Sequence, residues 1–222
     1  MLFILLNFVE IFFKIVIMYN ILLVNMKEDL AMKFYTSDLH LCHENILKFE
    51  PESRPFNTVD EMNEAIIKKW NDKVKQDDEV YILGDFCFDN RGDRATAFLK
   101  RLNGKKYLIK GNHDSFIGKS QFDESQLEYI KIYDEIDDYV NGEKVHVCLF
   151  HYPIAVWNKK HYHAYHLFGH IHSNKSDSMH HALEFDLGDH AFNVGVDVRN
   201  LEPVTLEEMI KEAKEQSEST KI

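Results

Sequence analysis

The 222 residues contain only three cysteines, Cys42, Cys87 and Cys148. The number is odd, and the spacing fits neither a disulfide framework nor a zinc ribbon. That leaves three small, reduced side chains and points to a cytoplasmic protein. Positive charge is also short: 26 Lys and Arg stand against 37 Asp and Glu, for a net charge of -11. A broad nucleic-acid-binding face is thereby excluded, because such faces are basic; a local basic pocket remains open. There is no Gly-rich phosphate loop of the Walker type. Linkers, repeats, low-complexity stretches and long insertions are missing as well, which leaves one domain and argues against a large macromolecular substrate.

The first residues are a separate matter. The run from Met1 to Val24 is apolar enough for a signal anchor, but Glu10 and Lys14 interrupt it. A charge pair inside a span is costly. The basic n-region and small-residue cleavage site of a secretory signal are absent. Lys27-Glu28-Asp29 can be encoded AAG-GAG-GAU, a ribosome-binding sequence, with Leu30 and Ala31 as spacer before Met32. We therefore expect residues 1–31 to be a mis-called start and 32–222 to be the domain, with no membrane partner unless the leader is real.

From Met32 onwards, short apolar runs alternate with helical patterns. Strands are expected at Lys33–Ser37, Glu79–Leu83, Lys106–Lys110, Tyr165–Phe168 and Asn193–Val198. Thr58-x-x-Glu61 and Thr205-x-x-Glu208 are capping-box signatures that open helices, the first running to about Gln76. A further helix fits Asp93–Leu102, and a short one fits Glu124–Ile130. Asn141-Gly142 is a hairpin turn signal between strands near Ile136–Val140 and Lys144–Phe150. The pattern predicts an α/β (α+β) chain with a mixed sheet system flanked by helices. Phe34, Trp70, Tyr81 and Phe86 read as core.

Histidine is abundant: there are 13, in no single tract. Several of them follow apolar runs, as do aspartates and an asparagine: Asp38-Leu39-His40, Gly84-Asp85, Gly111-Asn112-His113-Asp114, His151 and Gly169-His170-Ile171-His172. Strand ends along one sheet edge are where α/β proteins build sites. Asp, Asn and His together suit two borderline divalent ions such as Mn, Fe or Zn, whereas Ca or Mg would want mainly oxygen. Asp38-x-His40 and His170-x-His172 have period-2 spacing, which in an extended segment turns both side chains of a pair to one side.

This ordered series, D-x-H, G-D, G-N-H-D, H, G-H-x-H, resembles that of the calcineurin-like metallophosphoesterases. The wording around it, such as HLCHENILKFE and HLFGHIHS, is similar to a compact bacterial and phage-type branch. The resemblance implies two packed mixed β-sheets flanked by helices, a metallophosphoesterase-type β-sandwich. It also implies hydrolysis of a phosphomonoester or phosphodiester by metal-activated hydroxide. By position, Asp38, His40, Asp85 and His172 correspond to ligands of one metal. Asp85, Asn112, His151 and His170 correspond to ligands of the other, with Asp85 bridging and Mn favoured. His113 is similar to the family's catalytic histidine that does not bind metal, and Asp114 to its orienting carboxylate. Cys42 stands where a small residue such as Gly is expected.

Two further residues carry open readings. Arg54 either reaches a substrate phosphate or is a surface arginine in a turn. His43 either touches that phosphate or lies at the surface of a helix start. His161, His163, His166, His180, His181 and His190 either line the cleft mouth or sit in solvated loops. The expected partner is a small phosphorylated substrate. The rival readings are a protein phosphatase or nuclease of the same fold, or a metal-binding scaffold without turnover.

Overall fold

The strand-forming runs pair into two four-stranded sheets in the computed structural model, which describes residues 31–173 and 187–219. The first sheet has the order β1 (Lys33–Thr36), β2 (Glu79–Ile82), β3 (Lys105–Ile109), β4 (Tyr129–Lys131), all parallel. Tyr35 adds one antiparallel bridge, to Val204, beside β1. The second sheet has the order β5 (Tyr133–Val140), β6 (Glu143–Phe150), β7 (Tyr165–Phe168), β8 (Ala191–Asn193) and is mixed: β5 and β6 are antiparallel, the rest parallel. This is the expected α/β architecture of two sheets flanked by helices.

Alternation along the strands sorts the side chains into layers. Tyr35, Tyr81, Leu83 and Ile109 of the first sheet meet Val147, Leu149, Leu167 and Phe192 of the second in one buried cluster. Phe34, Val80, Ile82 and Leu108 point the other way. They pack on α2 (Val59–Lys73) through Met62, Ile66 and Trp70, and on α3 (Asp93–Arg101) through Leu99. A four-residue helix, α1 (Ile46–Phe49), precedes α2, and α4 (Leu206–Ser219) buries Leu206 and Met209 against the inter-sheet core. Among the described residues no helix is long and apolar enough to cross a membrane. The leader call for 1–31 falls almost wholly outside them.

The local signals act as their chemistry requires. Thr58 Oγ1 accepts from Glu61 N, and Glu61 reaches back to Thr58 N. Thr205 and Glu208 repeat this exchange at α4. Asn141 and Gly142 both take positive φ, which makes the β5–β6 turn and pairs Val140 with Glu143.

Two expected elements differ. Glu124–Ile130 is not one helix: a 3-10 turn at Glu124–Gln126 gives way to β4, because Asp123 caps the turn and Glu128 N already bonds Lys106 O. Asn193–Val198 is not one strand. The Asn193 side chain accepts from Gly195 N, and a 3-10 turn follows at Val196–Val198. That break carries Asp197 into the site.

Candidate metal centre

The strand ends converge on two groups of side chains. In the first, ligand atoms of Asp38, His40 and His172 lie within 4.8 Å of one another; in the second, those of Asp85, His151 and His170 do. Asn112 joins the second group, its Oδ1 2.9 Å from His151 Nε2. The two groups meet at one atom. Asp85 Oδ2 is 3.6 Å from His40 Nε2 and 3.5 Å from His151 Nε2. Those separations are too long for hydrogen bonds and leave room for something between.

The backbone that produces this is not extended. Asp38 (φ 56°), His40 (47°), Asp85 (53°), His170 (72°) and His172 (50°) all adopt left-handed conformations. The period-2 expectation for the D-x-H and H-x-H pairs is thus corrected. His170 and His172 turn to different groups because the chain coils between them. Such conformations persist in non-glycine residues only where the surroundings hold them. Cys42 shares the conformation at φ 67°, which explains why a glycine would suit its position. Close approach explains two real glycines: a Cβ at Gly111 would fall on the Asp85 carboxylate, and one at Gly169 on the Ser37 and Asp38 side chains.

Four of these side chains, His151, Asp38, His40 and His172, are oriented by partners. His151 Nδ1 donates to Leu83 O at 2.7 Å, leaving Nε2 for the site. The Asp38 carboxylate is pinned by His170 N, which donates to both oxygens at 3.1 and 2.9 Å. His40 is 2% exposed, and its Nδ1 is 3.1 Å from His43 Nδ1. We assign the shared proton to His40 Nδ1, which leaves a lone pair on Nε2. That buried Nε2 has no hydrogen-bond partner among the described residues. Burial, reinforced by neighbouring positive groups, pushes the His40 pKa down to about 2, so the ring stays neutral. An orphaned, neutral imidazole nitrogen facing carboxylates fits a metal ion.

His172 Nδ1 pairs with Asp197 Oδ2 at 2.7 Å. Asp197 in turn takes Arg54 Nε at 2.6 Å and Nη2 at 3.0 Å, and Ser53 Oγ at 2.9 Å. Burial alone would raise the Asp197 pKa, but His172 and Arg54 hold it well below the usual carboxylate range. Both expectations for Arg54 are corrected. It is 1% exposed, so it is no surface arginine, and its five N–H groups are consumed by Asp197 (two), the carbonyls of Leu39 (2.9 Å) and Asp38 (2.6 Å), and Met62 Sδ (3.3 Å). No donor is left for a substrate phosphate; Arg54 ties the Asp38 turn to the carboxylate that holds His172.

Asp114 is also corrected. Its carboxylate accepts from Asp85 N (3.0 Å), Gly111 N (2.8 Å) and Phe86 N (2.8 Å), so it braces two loops and does not orient His113. Burial pushes its pKa up to about 6, against those three donors. His113 is fixed through its backbone, whose N–H donates to Asp85 Oδ1 at 2.8 Å. Its ring centroid lies 5.4 Å from that of His40 and 5.2 Å from that of Phe88, at the rim of the first group. His43 faces His40 and stacks on Phe88 at 4.0 Å. Of the remaining histidines, His166 is fully buried on β7, far from a solvated loop in character. Its Nδ1 is 3.3 Å from Cys148 O, and its Nε2 accepts from Ile154 N at 3.3 Å. His161 is exposed, and His163 packs near His190. His180 and His181 lie outside the described residues.

Sequence reasoning missed Asp197, whose only signal was a lone acid between Val196 and Val198. It also missed Phe88, 45% exposed beside His113, and Tyr152, whose ring meets that of His170 at 4.6 Å.

The model of the calcineurin-like phosphoesterases matches residues 34–174, a span that holds every residue of the two groups. An uncharacterized protein, MJ1445, of Methanocaldococcus jannaschii is 34% identical over 179 residues, covering 80% of this chain and 89% of its own. The Gene 66 protein of Mycobacterium phage L5 is 32% identical over 83 residues, 36% of this chain and 39% of its own. Among solved structures, the protein of unknown function AQ665 from Aquifex aeolicus shares the fold with a TM-score of 0.62 at 25% identity, covering 82% of this chain and 99% of that one. The chain belongs to the calcineurin-like phosphoesterase family, whose class of chemistry is metal-dependent hydrolysis of phosphoesters.

Proposed function

We propose that this chain hydrolyses a small phosphomonoester or phosphodiester with two divalent ions, Mn favoured, in the cytoplasm. The observation that carries the reading is the position of Asp85 Oδ2 between His40 and His151, where one carboxylate serves two ligand sets. Asp38, His40, Asp85 and His172 hold one ion; Asp85, Asn112, His151 and His170 hold the other. When bound, such a pair polarises the phosphoryl oxygens and supplies a nucleophile at neutral pH.

The chain's own groups do the rest. Asp38 and Asp85 provide the negative charge that fixes the ions. His170 N, bonded to Asp38, and His113 N, bonded to Asp85, keep both carboxylates from swinging. The His113 ring, at the rim and free of Asp114, delivers a proton to the leaving oxygen. Phe88 packs beside His43 and His113, and Tyr152 beside His151 and His170, so each group has a partly exposed aromatic ring against it.

The test is a comparison of leaving groups in Mn-supplemented protein. An alkyl leaving group needs a proton in the transition state and a nitrophenolate does not. His113→Ala should therefore slow an alkyl phosphoester by about 10²–10⁴ and a nitrophenyl one far less, with ion content unchanged. Equal losses on both substrates would remove the general-acid role. No turnover of any phosphoester at full metal loading would leave a scaffold.

A further inference from the structure

On the outer face of the second sheet, the strands that bury Val147 and Leu149 present a different set of residues. β5 and β6 place Glu135 opposite Cys148 and Asp137 opposite His146. By the two-residue period all four share one face. A carboxylate oxygen of Glu135, a ring nitrogen of His146 and Cys148 Sγ lie within 4.8 Å of one another. Neither group at the strand ends contains sulfur.

We propose that Glu135, His146 and Cys148 form a third metal site, selective for a thiophilic divalent ion such as zinc. Thiolate, imidazole and carboxylate are its ordinary ligands, and a thiolate discriminates against Mn and Mg. Cys148 is fully buried, so its sulfur is shielded from competing solvent, while Glu135 and His146 are partly open and give the ion a way in. His146 already lies in the cluster. Its Nε2 faces Glu135 Oε2 at 2.8 Å, and its Nδ1 lies 3.6 Å from Asp137 Oδ1, while Lys144 holds the other Asp137 oxygen, Oδ2, at 2.7 Å. The 3.6 Å separation is too long for a hydrogen bond; when the ion takes Nε2 and the proton moves to Nδ1, the Asp137 carboxylate closes on it, and a carboxylate behind a ligating imidazole fixes its tautomer and raises its basicity.

The other neighbours are compatible. Asn158 Nδ2 and Tyr133 OH donate to Glu135 at 2.8 Å each and orient it. Asn158 O is 3.5 Å from Cys148 Sγ and accepts from the thiol until the ion displaces that proton to solvent. Lys159 Nζ donates to His146 Nδ1 at 3.5 Å; it is exposed and swings off into solvent when the ion takes Nε2 and Nδ1 takes the proton. The ion would clip the β5–β6 hairpin, which pairs on one side only, to itself across the strands.

Cobalt reads this site apart from the other two. The full chain is stripped with chelator and titrated with Co²⁺, and a sulfur-to-cobalt charge-transfer band is followed in the near ultraviolet. The band should appear, be displaced by Zn²⁺ and vanish in Cys148→Ser. His146→Gln, at a partly exposed position, should weaken the binding that gives the band at least ~10-fold, and Asp137→Asn, at an exposed one, about 10–100-fold. No band at saturation overturns the site, and so does a band that survives Cys148→Ser or is unmoved by His146→Gln. Because the strand-end groups give no sulfur band, this outcome is independent of the proposed phosphoesterase reading.

Discussion

The two groups at the strand ends use similar ligands but are braced in opposite ways. Behind the first stands a buried ion pair: Arg54 grips Asp197, and Asp197 grips His172. Behind the second stand backbone groups. Leu83 O holds His151, and Asp114 collects three N–H donors from the Asp85 and Gly111 loops. A long-range charge pair can link segments far apart in the chain, here residues 54 and 197. Backbone braces serve where the loops are already neighbours through β2 and β3.

The contrast is broken most directly at Arg54. Arg54→Met takes the cation from the buried Asp197 carboxylate and leaves it only Ser53 and His172, which should cost about 3–5 kcal/mol of unfolding free energy. It should also weaken divalent-ion binding at the first group about 10–100-fold. Adding Asp197→Asn should return part of that stability, the mark of a coupled pair. Additive losses in the double variant, measured by urea unfolding, would show that Arg54 acts elsewhere. Asp114→Asn tests the other brace. It retains one good acceptor of two and should cost ~3 kcal/mol, since bonds to a charged acceptor are the stronger kind. Activity loss should follow stability loss, with little change in the preference between alkyl and nitrophenyl leaving groups. A selective loss on alkyl substrates would instead restore Asp114 as the partner of His113.

The smallest effect sharpens the comparison with a histidine that serves neither group. Both nitrogens of His166 are satisfied by the backbone, and burial pushes its pKa down to about 4. The unfolded chain binds the proton more tightly, near pH 6.5. His166 therefore costs nothing above that value, and stability falls as pH drops from about 6.5 towards 4. Between pH 7.5 and 5 the loss should be ~2 kcal/mol in the parent and absent in His166→Gln. Identical slopes in the two proteins would remove the effect.

Much of this was legible in the sequence because it is local. Capping boxes, the Asn141-Gly142 turn and the alternation of Val80, Tyr81 and Ile82 each act within a few residues. Asp38, His40, Asp85, Asn112, His151, His170 and His172 were found as polar interruptions of apolar runs, and the structure brings all seven to one edge. What escaped was long-range. Nothing near Arg54 announces that its partner is Asp197. Asp114 sits beside His113 in sequence, so adjacency suggested a contact that the turn geometry denies. His166 looked like its neighbours His161 and His163 until β7 placed it inside.

The left-handed backbone at Asp38, His40, Asp85, His170 and His172 bears on transplantation. Copying these side chains onto the ends of ideal strands in another scaffold would carry over the chemistry and lose the aim. Each residue there would relax to an ordinary extended conformation, more stable by roughly 1–3 kcal/mol, and its side chain would leave the cluster. A working graft has to bring the coiled turns with the ligands, together with what forces those turns: the glycine clearances at 111 and 169, and the Arg54–Asp197 tie. The minimal portable unit is thus a set of loops with their supports, larger than the seven residues that touch the centre.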